Sequence, residues 1–88
     1  MRMTNINAVL KMTRQYLDGE MSRIDYELDF PYEVEKRYRN MYKEDFDYAD
    51  MLYFYLIECG ADQAIGLSDK AFYELIQKQY FEVLNGVY

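Results

Sequence analysis

The side chains that most often carry out enzymatic chemistry are scarce in this sequence. It has 88 residues, no histidine and one cysteine, Cys59. There is therefore no Ser-His or Cys-His pair for nucleophilic catalysis and no imidazole metal ligand, and one thiol cannot form a disulfide or a thiolate zinc site within the chain. Cys59 falls on the apolar face of a predicted helix, where a cysteine is typically a small core residue.

Carboxylates are the abundant reactive groups, sixteen in all. Asp45, Asp47 and Asp50 are spaced closely enough to suggest a calcium loop, but the central glycine and the final bidentate acid of an EF-hand are missing. Paired carboxylates can act as general acid and base, yet nothing in the sequence marks two of them as buried together. The four glycines lie too far apart for a phosphate-binding loop. We therefore expect no catalysis, no metal and no cofactor.

The acidic residues are concentrated in two blocks. Residues 18–35 carry seven acids and one base, and residues 44–62 carry six acids and no base. Residues 36–43 between them carry four bases and no acid, so the formal net charge of −6 hides an alternation of strongly charged segments. A concentrated negative surface accelerates the capture of a basic partner, and the pI near 4.5 argues against general nucleic-acid binding.

The basic segment, KRYRNMYK, interleaves tyrosines with cations, as proteins that bind single-stranded nucleic acids also do. On a helical wheel, however, Tyr38 and Tyr42 fall with Val34 on the predicted inner stripe, and the cations fall opposite. The pattern therefore favours a solvated face whose cations pair with neighbouring acids, for example Glu35 with Arg39.

Helical spacing of apolar residues dominates the first half of the chain, and no strand alternation of useful length appears. Helix one is predicted from Asn5 to Leu17, with Thr4 or Asn5 as its cap and Gly19 as its stop. A second helical segment starts at Ser22. Pro31 either kinks that helix or separates two helices.

The second half predicts two further helices. Helix three spans about Phe46 to Cys59, ends at Gly60 and is apolar nearly all round, so it is central in a bundle or covered by a partner. Ser68 caps helix four, which the Asn85-Gly86 pair ends. Helix four has the clearest amphipathic pattern, formed by Phe72, Leu75, Ile76, Tyr80 and Val83. The prediction is a single all-α domain over residues 1–88, a compact four- or five-helix bundle.

Two phenylalanines are predicted to point away from the core. Phe54 shares the outer face of helix three with acidic residues, and Phe81 lies on the outer side of helix four. An aromatic ring surrounded by carboxylates is typical of a binding anchor. The residues predicted to bind a partner are Asp47, Asp50, Phe54, Glu58, Glu44, Asp25, Asp29 and Phe81.

Two stretches resemble the colicin-D-type bacterial immunity proteins. In LKMTRQYLDGEMSRIDYELDF an amphipathic helix ends in a short glycine-containing turn before a polar-capped helix, and LSDKAFYELI is similar to the capped last helix of that family. The matching positions of the first stretch are Leu10, Tyr16, Leu17, Gly19, Ser22 and Phe30. The middle of the chain, with Pro31 and helix three, has no counterpart. The resemblance implies a small acidic protein that binds a basic toxin nuclease and occupies the site that would hold RNA.

These patterns indicate two classes of function. The first is a non-catalytic acidic inhibitor of a basic nucleic-acid-processing protein, either an immunity-type toxin inhibitor or a phage-type inhibitor of a nuclease complex. The alternative is a structural or regulatory helical module that homodimerises through helix three or docks on a larger complex. Neither class needs direct contact with nucleic acid or membrane. The lone cysteine and the lack of a secretory leader pattern indicate the cytoplasm.

Overall fold

The computed structural model describes residues 3–85. This part of the chain contains four α-helices and no β-strand. This confirms the predicted all-α bundle and selects four helices from the predicted four or five. The Cα radius of gyration, 12.2 Å, is close to the ~12 Å expected of a packed chain of this length. The segments are α1 (Thr4–Leu17), α2 (Arg23–Glu44), α3 (Phe46–Leu52), a π-helical segment (Tyr53–Glu58), one 3₁₀ turn (Ala61–Gln63) and α4 (Asp69–Asn85).

Helix α1 ends as predicted but starts differently. Gly19 has a φ of 83°, and the amides of Gly19 and Glu20 donate to the carbonyls of Tyr16 and Gln15, which is a Schellman motif. The predicted cap by Thr4 or Asn5 is wrong, because the N-cap residue is Met3 and no side chain of its own caps the helix. A carboxylate from the far end of α2 accepts from the first amides instead.

Helix α2 runs through Pro31 as one helix of 22 residues. The Ser22 hydroxyl accepts from the amide of Asp25 at 3.1 Å, as the predicted N-terminal cap requires. Glu33 and Arg37 form an ion pair at 2.9 Å. In the described part of the chain no ion pair joins Glu35 to Arg39, which leaves both side chains available for other partners.

Helix three is α-helical only in its first half. From Tyr53 to Glu58 it widens into a π-helix, in which the amide of Cys59 donates to the carbonyl of Phe54 at 2.9 Å. The expected regular α-helix from Phe46 to Cys59 is therefore wrong in its second half. The adjacent residues Leu56 and Ile57 of this wider turn are both buried in the core. The segment tolerates this change of helix type because its residues are apolar on nearly every side.

The core lies between all four helices and is rich in aromatic rings. Tyr26 is fully buried and stacks on Tyr16 and Phe30, each at 4.7 Å between ring centroids. Tyr80 is also buried, as predicted, but the prediction for Tyr42 is wrong, since its side chain is 48% exposed. The buried apolar residues of α2 are Tyr26, Phe30, Val34 and Met41. Tyr42 lies about 100° around the helix from the last of these.

The loop before α4 is fixed by polar contacts. Arg23 donates to Asp69 at 2.8 Å and to the carbonyl of Ala64 at 3.0 Å, and its guanidinium lies 4.8 Å from the ring centre of Phe72. Ser68 caps α4, as predicted, by accepting from the amide of Ala71. The predicted stop at Gly86 lies outside the described residues.

Replacing Gly60 by alanine is expected to destabilise the fold. A Cβ on this residue would lie 2.6 Å from the carbonyl oxygen of Leu56, and backbone must move to relieve that contact. We expect a loss of about 1–2 kcal/mol in the free energy of unfolding, measured by chemical denaturation. Gly19→Asn is the control, because a Cβ there meets nothing within 4 Å and asparagine tolerates a positive φ. Equal losses in both variants would contradict this steric account.

Among the described residues, no helix has the length and apolar character needed to cross a bilayer.

Candidate partner-binding surface

The outer side of α3 and the π-helical segment carries an exposed apolar ring among carboxylates. Phe54 is 49% exposed, which confirms its predicted outward position. Asp47, Asp50 and Glu58 are exposed on the same continuous element. We call these four residues the α3 face. A π-helical segment often marks a functional site, because the widened turn is less favourable than a regular helix.

A shallow groove adjoins this element where α2 packs against it. It has a volume of about 420 Å³ and is lined by Glu35, Tyr38 and Tyr53. The rings of Tyr38 and Tyr53 meet edge to face with centroids 5.6 Å apart, and the Tyr38 hydroxyl donates to the carboxylate of Asp50. Asp50 therefore joins the groove to the α3 face.

The pKa values of both tyrosines in the groove are raised, in part by the carboxylates near them. The hydrogen bond to Asp50, together with desolvation, raises the pKa of Tyr38 to about 12. Partial burial raises the pKa of Tyr53, and the charges of Glu35, Asp62 and Glu58 raise it further. Each carboxylate disfavours the charged phenolate, so both tyrosines stay neutral at physiological pH.

Glu44 caps the start of α1 and is not an exposed residue of the partner surface. Its carboxylate accepts from the amides of Asn5 and Ile6 at 2.8 and 3.0 Å, and from the Asn5 side-chain amide at 2.7 Å. Partial burial raises the pKa of Glu44, but these hydrogen bonds and the charge of Arg37 outweigh it, so the net pKa is lowered. Because its acceptors are used by α1, Glu44 is left out of the proposed partner surface.

Asp25 and Asp29 lie on another side of the molecule. Both are exposed, near the start of α2. At 100° per residue they are about 140° and 180° around that helix from Tyr38, which contacts Tyr53 of the π-helical segment and Asp50 of α3. The structure therefore does not bring them together with the α3 face.

Phe81 is also separate from Phe54. It is 52% exposed, which confirms its outward position, but it lines a groove of about 290 Å³ between α1 and α4. Other residues of that groove are Arg14, Leu17, Tyr73 and Leu84. The predicted site residues thus fall on three surfaces and one helix cap.

The two tyrosines of the groove are not predicted from the sequence. The helical wheel places Tyr38 in the core, and nothing distinguishes Tyr53 within its apolar run. The two tyrosines come together with Glu35 and Asp50 only when α2 packs beside α3 and the π-helical segment. The only sequence signal for Tyr53 is the unbroken apolar run that contains it. Such a run is wider than one helical face, so some of its residues must face outward.

Little in the described residues favours metal or thiol chemistry. Within residues 3–85, no three His, Cys, Asp or Glu side chains are grouped so that they could hold a metal ion. Cys59 is half-buried at the end of the π-helical segment. The chemistry available at the α3 face is therefore charge pairing, hydrogen bonding and aromatic contact.

Comparison with protein-family models, curated proteins and solved structures finds no match to this chain.

Proposed function

We propose that this protein is a non-catalytic acidic inhibitor that binds a basic nucleic-acid-processing protein and blocks its substrate site. The observation that carries the proposal is the α3 face, where an exposed phenylalanine is flanked by carboxylates in a segment of 19 residues without a single basic side chain. The described helices offer no comparable stretch with acids only.

Each part of the surface has a physical task in this proposal. The carboxylates attract a basic partner over a distance of about a Debye length, and after contact they accept from its arginines and lysines. Phe54 supplies apolar area at the centre, where a binding anchor is most effective. The rings of Tyr38 and Tyr53 can stack against the stem or the cation of a basic side chain.

Inhibition follows from the same charges. A protein that processes nucleic acid lines its substrate site with cations that contact phosphates. Carboxylates presented along one continuous helical element can pair with those cations and so exclude the nucleic acid. The resemblance to immunity proteins supports this interpretation, and the lone cysteine supports a reducing, cytoplasmic setting for it.

The proposal is tested by capture from extracts of the source cells at low salt. The α3-face variant combines Asp47→Asn, Phe54→Ala and Glu58→Gln. We expect the unmodified chain to recover a basic protein that binds nucleic acid, with binding that weakens as salt rises. The α3-face variant should bind that protein at least about tenfold more weakly, because it loses two charges and the anchor.

The matched control removes the same chemistry from α4 and combines Glu74→Gln, Phe81→Ala and Glu82→Gln. All three residues are exposed, and the net charge changes by the same amount. Capture by the control should equal that of the unmodified chain. Recovery of no basic protein would overturn the proposed function, and equal capture by the α3-face variant would overturn the assignment of the surface.

A further inference from the structure

Three successive turns of α2 expose large apolar side chains to solvent. Ile24, Leu28 and Tyr32 are 69%, 68% and 64% exposed. They follow one another at intervals of four residues, so they form one stripe on the side of the helix away from the buried Phe30. Isolated apolar residues on a surface need no explanation, but a continuous stripe marks an interaction surface.

The stripe continues toward the end of α2 after a charged centre. Glu35, Arg39 and Tyr42 all lie within about 40° of Leu28 around the helix axis. The ring of Tyr42 then contacts that of Phe46 at 5.8 Å, and these two rings are 48% and 54% exposed. The order along the stripe is thus apolar, acidic, basic, aromatic.

We propose that this α2 stripe is the interface of a homodimer, in which a second copy packs its α2 antiparallel across a two-fold axis near position 37. Positions equally far from 37 are then opposite one another. Tyr32 meets Tyr42 of the second copy and Glu35 meets Arg39, while Leu28 reaches past the end of that α2 toward Phe46, whose ring contacts Tyr42 at the start of α3. Each of these contacts occurs twice.

Charge complementarity identifies the occupant as a second copy. The first half of α2 is acidic and the second half is basic, so only the antiparallel arrangement brings opposite charges together. Glu35 and Arg39 form no ion pair within the described part of one chain, which leaves them free for the contact across the axis. On the flank, Asp29 lies within reach of Lys43 of the second copy.

The predicted dimer is of moderate strength. The part of α2 that pairs with itself across the axis, from Tyr32 to Tyr42, is about 15 Å long, which is short for a permanent interface. We therefore expect a Kd in the micromolar range. An anionic membrane surface is a poor alternative occupant, because acids flank the first half of the stripe.

Charge reversal tests the register directly. Glu35→Arg and Arg39→Glu are measured singly, together in one chain and as a mixture, by light scattering from about 1 to about 500 µM. The unmodified chain should approach twice its mass of 10.7 kDa. Each single variant should bind itself at least about tenfold more weakly, because like charges then meet twice across the axis. The doubly reversed chain and the equimolar mixture should both dimerise again, because each restores opposite charges.

A second pair of variants tests the apolar part of the stripe. Leu28→Asp should be monomeric, whereas Leu84→Asp, at a residue 45% exposed on α4, should dimerise as the unmodified chain does. A monomeric unmodified chain at about 500 µM would overturn the proposal. So would a dimer that persists in both single reversals, or a mixture that fails to dimerise. None of these substitutions lies in the α3 face; Glu35 lines the groove beside it, whereas Arg39 and Leu28 do not, so the Arg39→Glu and Leu28→Asp results are independent of that groove.

Discussion

Replacing Tyr26 by alanine is expected to lower the free energy of unfolding by about 3–5 kcal/mol, as is typical when a large buried ring is truncated. Its ring is fully buried between Tyr16 and Phe30, so truncation removes two stacked contacts and leaves a cavity that the neighbouring rings cannot fill. Chemical denaturation measures the loss. Phe81→Ala, at a ring that is 52% exposed on α4 and outside the α2 stripe, is the control and should change the unfolding free energy by less than about 1 kcal/mol.

The hydroxyl of Tyr26 adds a separable contribution. It forms a hydrogen bond of 2.8 Å with Thr13, which is also fully buried, and burial raises the pKa of Tyr26. Thr13→Val leaves the phenol without a partner and should cost about 1–3 kcal/mol. The double variant Thr13→Val with Tyr26→Phe should lose less unfolding free energy than the two single losses added together, by at least about 1 kcal/mol, because no unpaired polar group remains. Strict additivity would contradict this pairing.

Replacing Glu44 by alanine should have the second largest effect, a loss of about 2–3 kcal/mol. The carboxylate accepts three hydrogen bonds at the start of α1 and links residues 39 positions apart. Without it, the amides of Asn5 and Ile6 lose a charged acceptor, and α1 has no side-chain cap of its own. Glu82→Ala, at an exposed residue of α4, is the matched control and should change stability little.

The Glu44 contribution should also depend on pH. The folded pKa is lowered below the ordinary 4.5, because the hydrogen bonds and Arg37 outweigh the effect of burial. The stabilisation is therefore fully present above pH 4.5 and is lost as the pH falls through the lower folded pKa. The difference in unfolding free energy between the unmodified chain and Glu44→Gln should shrink from pH 7 to pH 2. A difference that is constant with pH would contradict the role of the charged carboxylate.

Local signals in the sequence predicted the end of α1 and the starts of α2 and α4. Gly19, Ser22 and Ser68 act within three or four residues of their own position, so their spacing alone identifies the turn and both caps. Pro31 could not be assigned in this way. A proline restricts the backbone, but whether the helix continues depends on the packing of the residues on both sides, which pair with α1 and α3.

The remaining differences come from contacts between distant segments. The cap of α1 by Glu44 joins the two ends of the α1–α2 pair, which no sequence window contains. The π-helical segment changes the angle between successive residues, so a helical wheel drawn at 3.6 residues per turn accumulates an error from Tyr53 to Glu58 that is small at Phe54 and largest at the end. The tyrosine groove likewise requires α2 and α3 to be side by side. Of the candidate site, the outward positions of Phe54 and Phe81 are predictable from the sequence, because each depends only on its own helix.

Competition with nucleic acid is the most direct test of the central claim. The basic protein captured at low salt is held with a labelled oligonucleotide that it binds, and the acidic chain is added in increasing amount. We predict that the chain displaces the oligonucleotide and stops its processing, with the α3-face variant needing at least about tenfold more protein. Oligonucleotide that stays bound and is still processed while the partner is saturated with the unmodified chain would contradict the account.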